Sequence, residues 1–298
     1  MIENRLIRET GGDKLFNWFN YAFTFIIFLL VLYPILYTLS ASFSSPEALV
    51  AGKVWLYPVD FGLQGYKAVV EYKAVWIGYS NSIFYMVVGT LINVAMTIAA
   101  AYPLSRKDFA GRKFIMMVFA FTLIFSGGLI PSYLLVKELG MLNTRWALLI
   151  PNAMSMFNVI MTMTFFRSNI PDELLDSAKM DGCSNFRFLI SIVLPVSGAI
   201  IAVITLFYAV EHWNEFFSPL IYLNNKSLFP LQIYLREILM MNTSDTLTTS
   251  IADQNQRLYL NELLKYSLII FSSLPLMIMY PFVQRHFVRG VMIGSIKG

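Results

Sequence analysis

An all-α protein crossing a membrane six times is the fold class this sequence predicts, and three observations predict it. Hydrophobic residues make up 57% of the 298 positions and charged residues only 13%, about half the ~25% usual in a soluble domain. The mean hydropathy is +0.62. The charge deficit is also concentrated, because several runs longer than the ~18 residues that cross ~30 Å of hydrocarbon carry almost none.

The spans are expected at about 15–43, 79–105, 113–137, 145–167, 188–212 and 263–285. Residues 1–14 form a short basic start with Arg5, Arg8 and Lys14. The first apolar run is much longer than the ~7–15 residues of a signal-peptide core. A retained first helix is therefore expected, although Leu39 to Ser42 faintly resembles a cleavage site. Residues 44–78 hold Pro46, Gly52, Pro58, Gly62 and Gly65 with Trp55, Tyr57, Tyr66, Tyr72 and Trp76, the composition of a folded cap with an interfacial aromatic belt. Pro34, Pro131, Pro151, Pro195 and Pro275 fall in or near spans. Membrane helices tolerate them because neighbours re-satisfy the freed backbone groups.

Lys and Arg counts orient the chain. With both termini in the cytoplasm, the inner segments hold 13 of the 22 basic residues, crowded into short loops such as Arg106–Lys113. The expectation is a multi-pass cell-membrane protein, N-in and C-in, with a six-span domain at 15–285 followed by a cytoplasmic tail at 286–298. The second long outer segment, 214–262, contains an amphipathic stretch from Leu231 to Met241 and a polar run from Asn242 to Ser250. Loops of this size generally have a role: a docking surface for an external partner, or a lid over the bundle.

The remaining inner segment, 169–190, is a polar, helix-forming island between apolar spans. Pro171 suits a first helical turn, and Asp172 and Glu173 complement the helix N-terminus. Asp172, Asp176 and Lys179 form a polar stripe, while Leu174, Leu175 and Ala178 fall on another face. Gly182 offers a left-handed stop, Ser184 a cap for a second helix, and Pro195 a bend into the membrane. Two short helices meeting at Asp181-Gly182 can present an apolar ridge to a groove on another protein, or lie at the interface as an ordinary amphipathic helix.

Candidate pathway residues are Asn93, Asn152, Asn158, Glu211, Trp213, Asn214 and Glu215, since polar groups in spans face the bundle interior or a water-filled path. Each isolated Asn is read first as an interhelical hydrogen-bonding group and only then as pathway lining. The Glu211–Phe216 cluster reads as pathway lining, with Trp213 offering a stacking face, or as outer-gate structure. Cys183 is the single cysteine, and His212 and His286 stand far apart, so no metal site is expected. No G-x-x-x-x-G-K-[ST] loop is present, so ATP is not hydrolysed on this chain and no catalytic residue is named.

The island resembles the EAA motif, E-A-A-x-x-D-G-A followed later by L-P, of permease subunits of maltose-type carbohydrate ABC importers. Asp176-Ser177-Ala178 stand at the E-A-A, Asp181-Gly182 at the D-G, Cys183 at the next Ala, Phe188 or Leu189 at the aromatic position, and Leu194-Pro195 at the L-P. The departures are Asp for Glu, Ser for Ala and Cys for Ala. Ala101–Arg112 is similar to the family's A-Y-x-x-S-R-x-x-F-x-G-R loop and Leu139–Leu148 to its L-G-L-x-N-T-x-W-A-L turn. Trp213–Phe216 with Pro219-Leu220 matches W-N-x-F-x-x-P-L, and Gln284–Gly298 resembles the family ending. The resemblance covers about 15–298.

It implies a six-helix permease with cytoplasmic coupling helices, the type I importer fold. It also implies a second homologous permease, two ABC ATPase subunits carrying ATP and Mg, and an extracytoplasmic solute-binding protein. By this resemblance Glu173, Asp176, Ser177, Ala178, Asp181, Gly182, Phe188, Leu194 and Pro195 couple to the ATPase, and Gly294, Lys297 and Gly298 of the tail touch it. The implied cargo is a sugar, with the closest similarity to the subgroup for complex or uronate-containing oligosaccharides; an ABC permease for a non-sugar solute is the alternative. No cofactor on this chain and no nucleic-acid partner are expected. A secondary transporter would need ten to twelve spans and inverted repeats, a channel a selectivity-filter element, and an intramembrane enzyme a paired nucleophile and base.

Overall fold

The computed structural model describes residues 10–240 and 264–281, and all regular structure among them is helical. The chain divides into two compact units, Met1–Glu71 with Ile238–Ser272, and Tyr72–Glu237 with Ser273–Gly298.

In the first unit α1 (Gly11–Ser42) starts at a capping box. The Thr10 hydroxyl accepts from Asp13 N at 3.3 Å, and the Asp13 carboxylate accepts from Thr10 N at 2.8 Å. Most of α1 is exposed, and only Ser40, Ala41 and Ser42 in its last turn are buried. There the chain folds back as the expected cap, with α2 (Pro46–Val50) and α3 (Gln64–Glu71). Gly62 N donates to Phe43 O at 2.9 Å and the Ser40 hydroxyl to Leu56 O at 2.6 Å, while Phe43 stacks on Phe61 at 5.5 Å. The start of the last helix, α15 (Leu264–Pro281), closes this unit through Tyr266, edge-on to Tyr37.

The second unit is organised by α4 (Lys73–Ser105), which begins six residues before the expected span. Ser82, Tyr85, Gly89, Asn93, Thr97, Ala101 and Leu104 recur every three or four positions, the spacing of one helical face, and all are buried. Around α4 come α5 (Arg112–Ile124), α6 (Leu129–Glu138), α7 (Trp146–Leu149), α8 (Met156–Asn169) and α9 (Asp172–Met180). Then follow α10 (Asn185–Phe188), a π-turn (Leu189–Val193), α11 (Leu194–Val196), α12 (Gly198–Asn214), α13 (Phe217–Tyr222), a 3₁₀ turn (Lys226–Leu228) and α14 (Leu231–Met240). Tyr102, Phe166, Leu175, Phe188 and Ile204 share one apolar core toward the Ser105 end of α4. Tyr85, Leu148, Leu149 and Tyr222 share another toward the Lys73 end. Segments expected on the inner side thus gather at one end of α4 and those expected outside at the other.

The helices break within three of the six expected spans. Among the described residues, three single helices are long and apolar enough to cross a membrane: α1, α4 and α15. The third span is a pair, α5 and α6, bent by 115° at Ser126-Gly127-Gly128, where Gly128 takes φ +82. The fifth is bent by 83° at Ser197, after the π-turn that accommodates the missing N–H of Pro195. The fourth, 145–167, is interrupted at Pro151. Its main helix α8 has 14 residues, about 21 Å, which falls short of the ~30 Å hydrocarbon layer.

Candidate functional site

The polar island folds as two helices meeting at a glycine. α9 ends in a Schellman motif, with Gly182 N donating to Lys179 O at 3.0 Å and Cys183 N to Ala178 O at 2.9 Å. Gly182 has φ +73, the left-handed value this stop requires. Ser184 then caps α10 by accepting from Arg187 N at 3.3 Å. Pro171 lies one position before the helix, at its cap.

The apolar ridge expected on α9 is not a single outward face. Leu175 and Ala178 are buried and join the chain's own core, together with Phe188. Leu174 remains exposed, and the largest outward apolar groups are Met180, 89% exposed, and Phe186, 72% exposed. Glu173, Asp176, Ser177, Asp181 and Pro195 are exposed, and Leu194 is half-buried. The elbow is therefore pinned by Leu175, Ala178 and Phe188, while Glu173, Asp176 and Asp181 stay exposed.

A second fastening comes from the loop after α4. Asp172 accepts from Lys107 Nζ at 2.8 Å and from Arg106 at 3.4 Å, and Asp108 accepts from Lys179 Nζ at 3.1 Å. Lys107 holds the Asp172 carboxyl below the usual carboxylate range, and Lys179 does the same for Asp108. A depressed carboxylate pKa stabilises above the unfolded value and is lost as pH falls through the folded one, so both pairs are intact at neutral pH. Arg167 adds a tie from α8 to α4 by donating to Leu104 O at 2.8 Å.

The candidate pathway residues divide. Asn93 is buried; its Nδ2 donates to Asn152 O at 2.7 Å, and its Oδ1 lies 3.0 Å from His212 Nε2. This joins α4, the break before α8, and α12, a joint that satisfies a backbone carbonyl freed near Pro151. Trp213 is 1% exposed and packs edge-on against Tyr79 at 5.4 Å, so its ring faces the chain rather than a cavity. Glu215 accepts from Ser218 N at 2.9 Å at the start of α13, and Asn214 is exposed with its amide on Val210 O. Asn158 is buried and Glu211 exposed. Asn152 is exposed and lines a cavity of about 540 Å³ with Ser126, Ser132, Pro151, Phe217 and Tyr222. Gly294, Lys297 and Gly298 lie outside the described residues, as do the 242–250 run and the rest of the tail.

Residues 74–293 match the family of the binding-protein-dependent transport system inner membrane component. The chain belongs to this family. It is 36% identical, over 96% of its length and 99% of the relative's, to the polygalacturonan/rhamnogalacturonan transport system permease protein YtcP of Bacillus subtilis. It is 37% identical to protein LplC of the same organism over the full length of both chains. Its fold superimposes with a TM-score of 0.85, at 33% identity over 94% of this chain and 99% of the other, on a bacterial ABC transporter involved in the import of the acidic polysaccharide alginate.

The protein is thus the membrane permease subunit of an ABC importer and is not itself an enzyme; ATP hydrolysis belongs to separate subunits. Such a permease works with a partner permease, an ATPase and a solute-binding protein. Several residues that organise this importer permease were not among the sequence candidates. Gly89 is one, since a Cβ there would lie 2.3 Å from His212 Nε2. Tyr208 is another, bonding Thr97 at 2.6 Å and accepting from Ser155 N at 3.0 Å. Asn143, at φ +58, accepts from Asn224 N and Asn225 N at 3.1 and 2.8 Å and so clasps the turn before α7 to the loop after α13. Asn143 stands at the Asn of the family's N-T turn, which is the signal that marks it.

Proposed function

We propose that this permease imports uronate-containing oligosaccharides delivered by a solute-binding protein, with the Ser105 end of α4 in the cytoplasm and both termini on that side. The relatives carry the substrate reading: YtcP is named for polygalacturonan and rhamnogalacturonan, and the superimposing transporter for alginate, all acidic polysaccharides. The crowded Lys and Arg residues around Arg106 support the orientation.

In this reading the exposed face of Glu173, Asp176, Ser177 and Asp181 seats in one of the two ATPase subunits, where ATP and Mg are held. The tail around Gly294, Lys297 and Gly298 adds a second contact. Closure of the ATPases moves the elbow, and its buried Leu175, Ala178 and Phe188 pass that motion to α4, α8 and the bent fifth span, a rigid-body switch between two access states. The cavity beside Asn152 and the bend of α5 and α6 forms part of the sugar path.

The assembled transporter in proteoliposomes, with its binding protein, tests this directly. Oligogalacturonate should be taken up and should stimulate ATP hydrolysis well above the level with neutral arabino-oligosaccharides. Uptake of neutral sugars alone would overturn the substrate reading while leaving the importer intact.

A further inference from the structure

Where α4, α5 and α8 end together near Ser105, a cavity of about 300 Å³ opens that the coupling elbow does not use up. Its charged lining is Arg106, Lys107, Arg112 and Arg167 against Asp172 and Glu173, an excess of two positive charges. The cations are held in place by the backbone. Arg112 donates to Arg106 O at 3.4 Å and Arg167 to Leu104 O at 2.8 Å. Asp172 is already shared between Arg106 and Lys107, so it does not neutralise Arg112 or Arg167, which lie close enough to repel each other. The Arg106 side chain is only 11% exposed, and its Nε is buried without a hydrogen-bond partner. A buried N–H donor left unpaired costs free energy that an oxyanion would recover.

We propose that this cavity binds the headgroup of an anionic phospholipid, whose net negative charge meets the excess positive charge of the lining. The location favours a lipid over a soluble anion. Phe166 and Ile170 form apolar walls, and α5 leaves the site at Arg112 with no buried residue of its own. Phe114, Met117 and Phe121 on α5 are exposed, offering acyl chains an apolar track directly beside the charged group. Basic pockets between the cytoplasmic ends of membrane helices take such headgroups. The inference is independent of the sugar and requires only that this end of α4 lies at a membrane surface. A headgroup here would touch Arg106 and Lys107, the residues that fasten α9, and so would bear on how firmly the elbow is held.

The test is native mass spectrometry of the full transporter released from nanodiscs of phosphatidylglycerol or of phosphatidylcholine. Phosphatidylglycerol should be retained selectively. Retention should fall about fivefold, the factor for one lost basic contact, in Arg112→Gln and in the surface variant Lys107→Gln, whose exposed side chain makes it tolerant of replacement. Lys113→Gln, next in sequence but outside the cavity lining, should retain lipid like the parent. Equal retention of the two lipids, or an equal loss in Lys113→Gln, would overturn the site in favour of diffuse surface charge. Displacement of phosphatidylglycerol by millimolar inorganic phosphate would reassign the cavity to free phosphate and overturn the lipid as its occupant.

Discussion

Gly182 has φ +73, and nothing lies within 4 Å of where its Cβ would stand. The obstacle to replacing it is therefore backbone conformation and not crowding. A left-handed residue costs roughly 1–2 kcal/mol when it carries a Cβ, least for Asn and most for β-branched types. Gly182→Asn should keep most sugar uptake, whereas Gly182→Val should lose it while inserting normally, as transport and membrane-fraction assays on the same cells would show. If Val transported as well as Asn, the stop at Gly182 would have no part in coupling. This glycine was legible in the sequence because a left-handed stop is a local demand. Gly89 was not, because what excludes a side chain there is His212, 123 positions further along and brought close only by packing.

At the scale of elements, the joint between the loop after α4 and α9 includes two ion pairs of opposite direction, Lys107 with Asp172 at the start of the helix and Asp108 with Lys179 in its last turn. Each is exposed and by itself is worth little to stability. Their role is positional, since together they set where α9 points relative to α4. Lys179→Asp should lower sugar-stimulated ATP hydrolysis several-fold without changing subunit assembly, and adding Asp108→Lys to the same chain should restore it. Failure of the double charge swap to recover activity would mean that the pair does not position the elbow. Both partners stood in motifs visible in the sequence, yet nothing there joined them, because the chain crosses the membrane twice on the expected topology in the 71 positions that separate them.

At the scale of the molecule, Asn93 holds together α4, the break before α8 and the end of α12. Asn93→Ala would leave His212 and the Asn152 carbonyl without this partner. Membrane hydrogen bonds of this kind contribute about 0.6–2 kcal/mol each, so the thermal transition of the detergent-solubilised complex should drop measurably. Asn158→Ala, which removes a buried amide whose Oδ1 has no hydrogen-bond partner, should leave the transition where it is. A transition unmoved by Asn93→Ala would show that this joint does not hold the three elements together.

Hydropathy, charge density and the placing of Gly, Pro and Ser were enough for the class, the approximate spans, the elbow and its left-handed stop, since each is a demand made within a few residues of chain. Packing alone settled which spans bend, that Leu175 and Phe188 turn into the core, that Trp213 is buried, and that Asn93 is a joint before it is a lining group. Those outcomes depend on which distant helix supplies the facing surface, and inside a membrane uniformly apolar segments carry little record of which face will meet which neighbour.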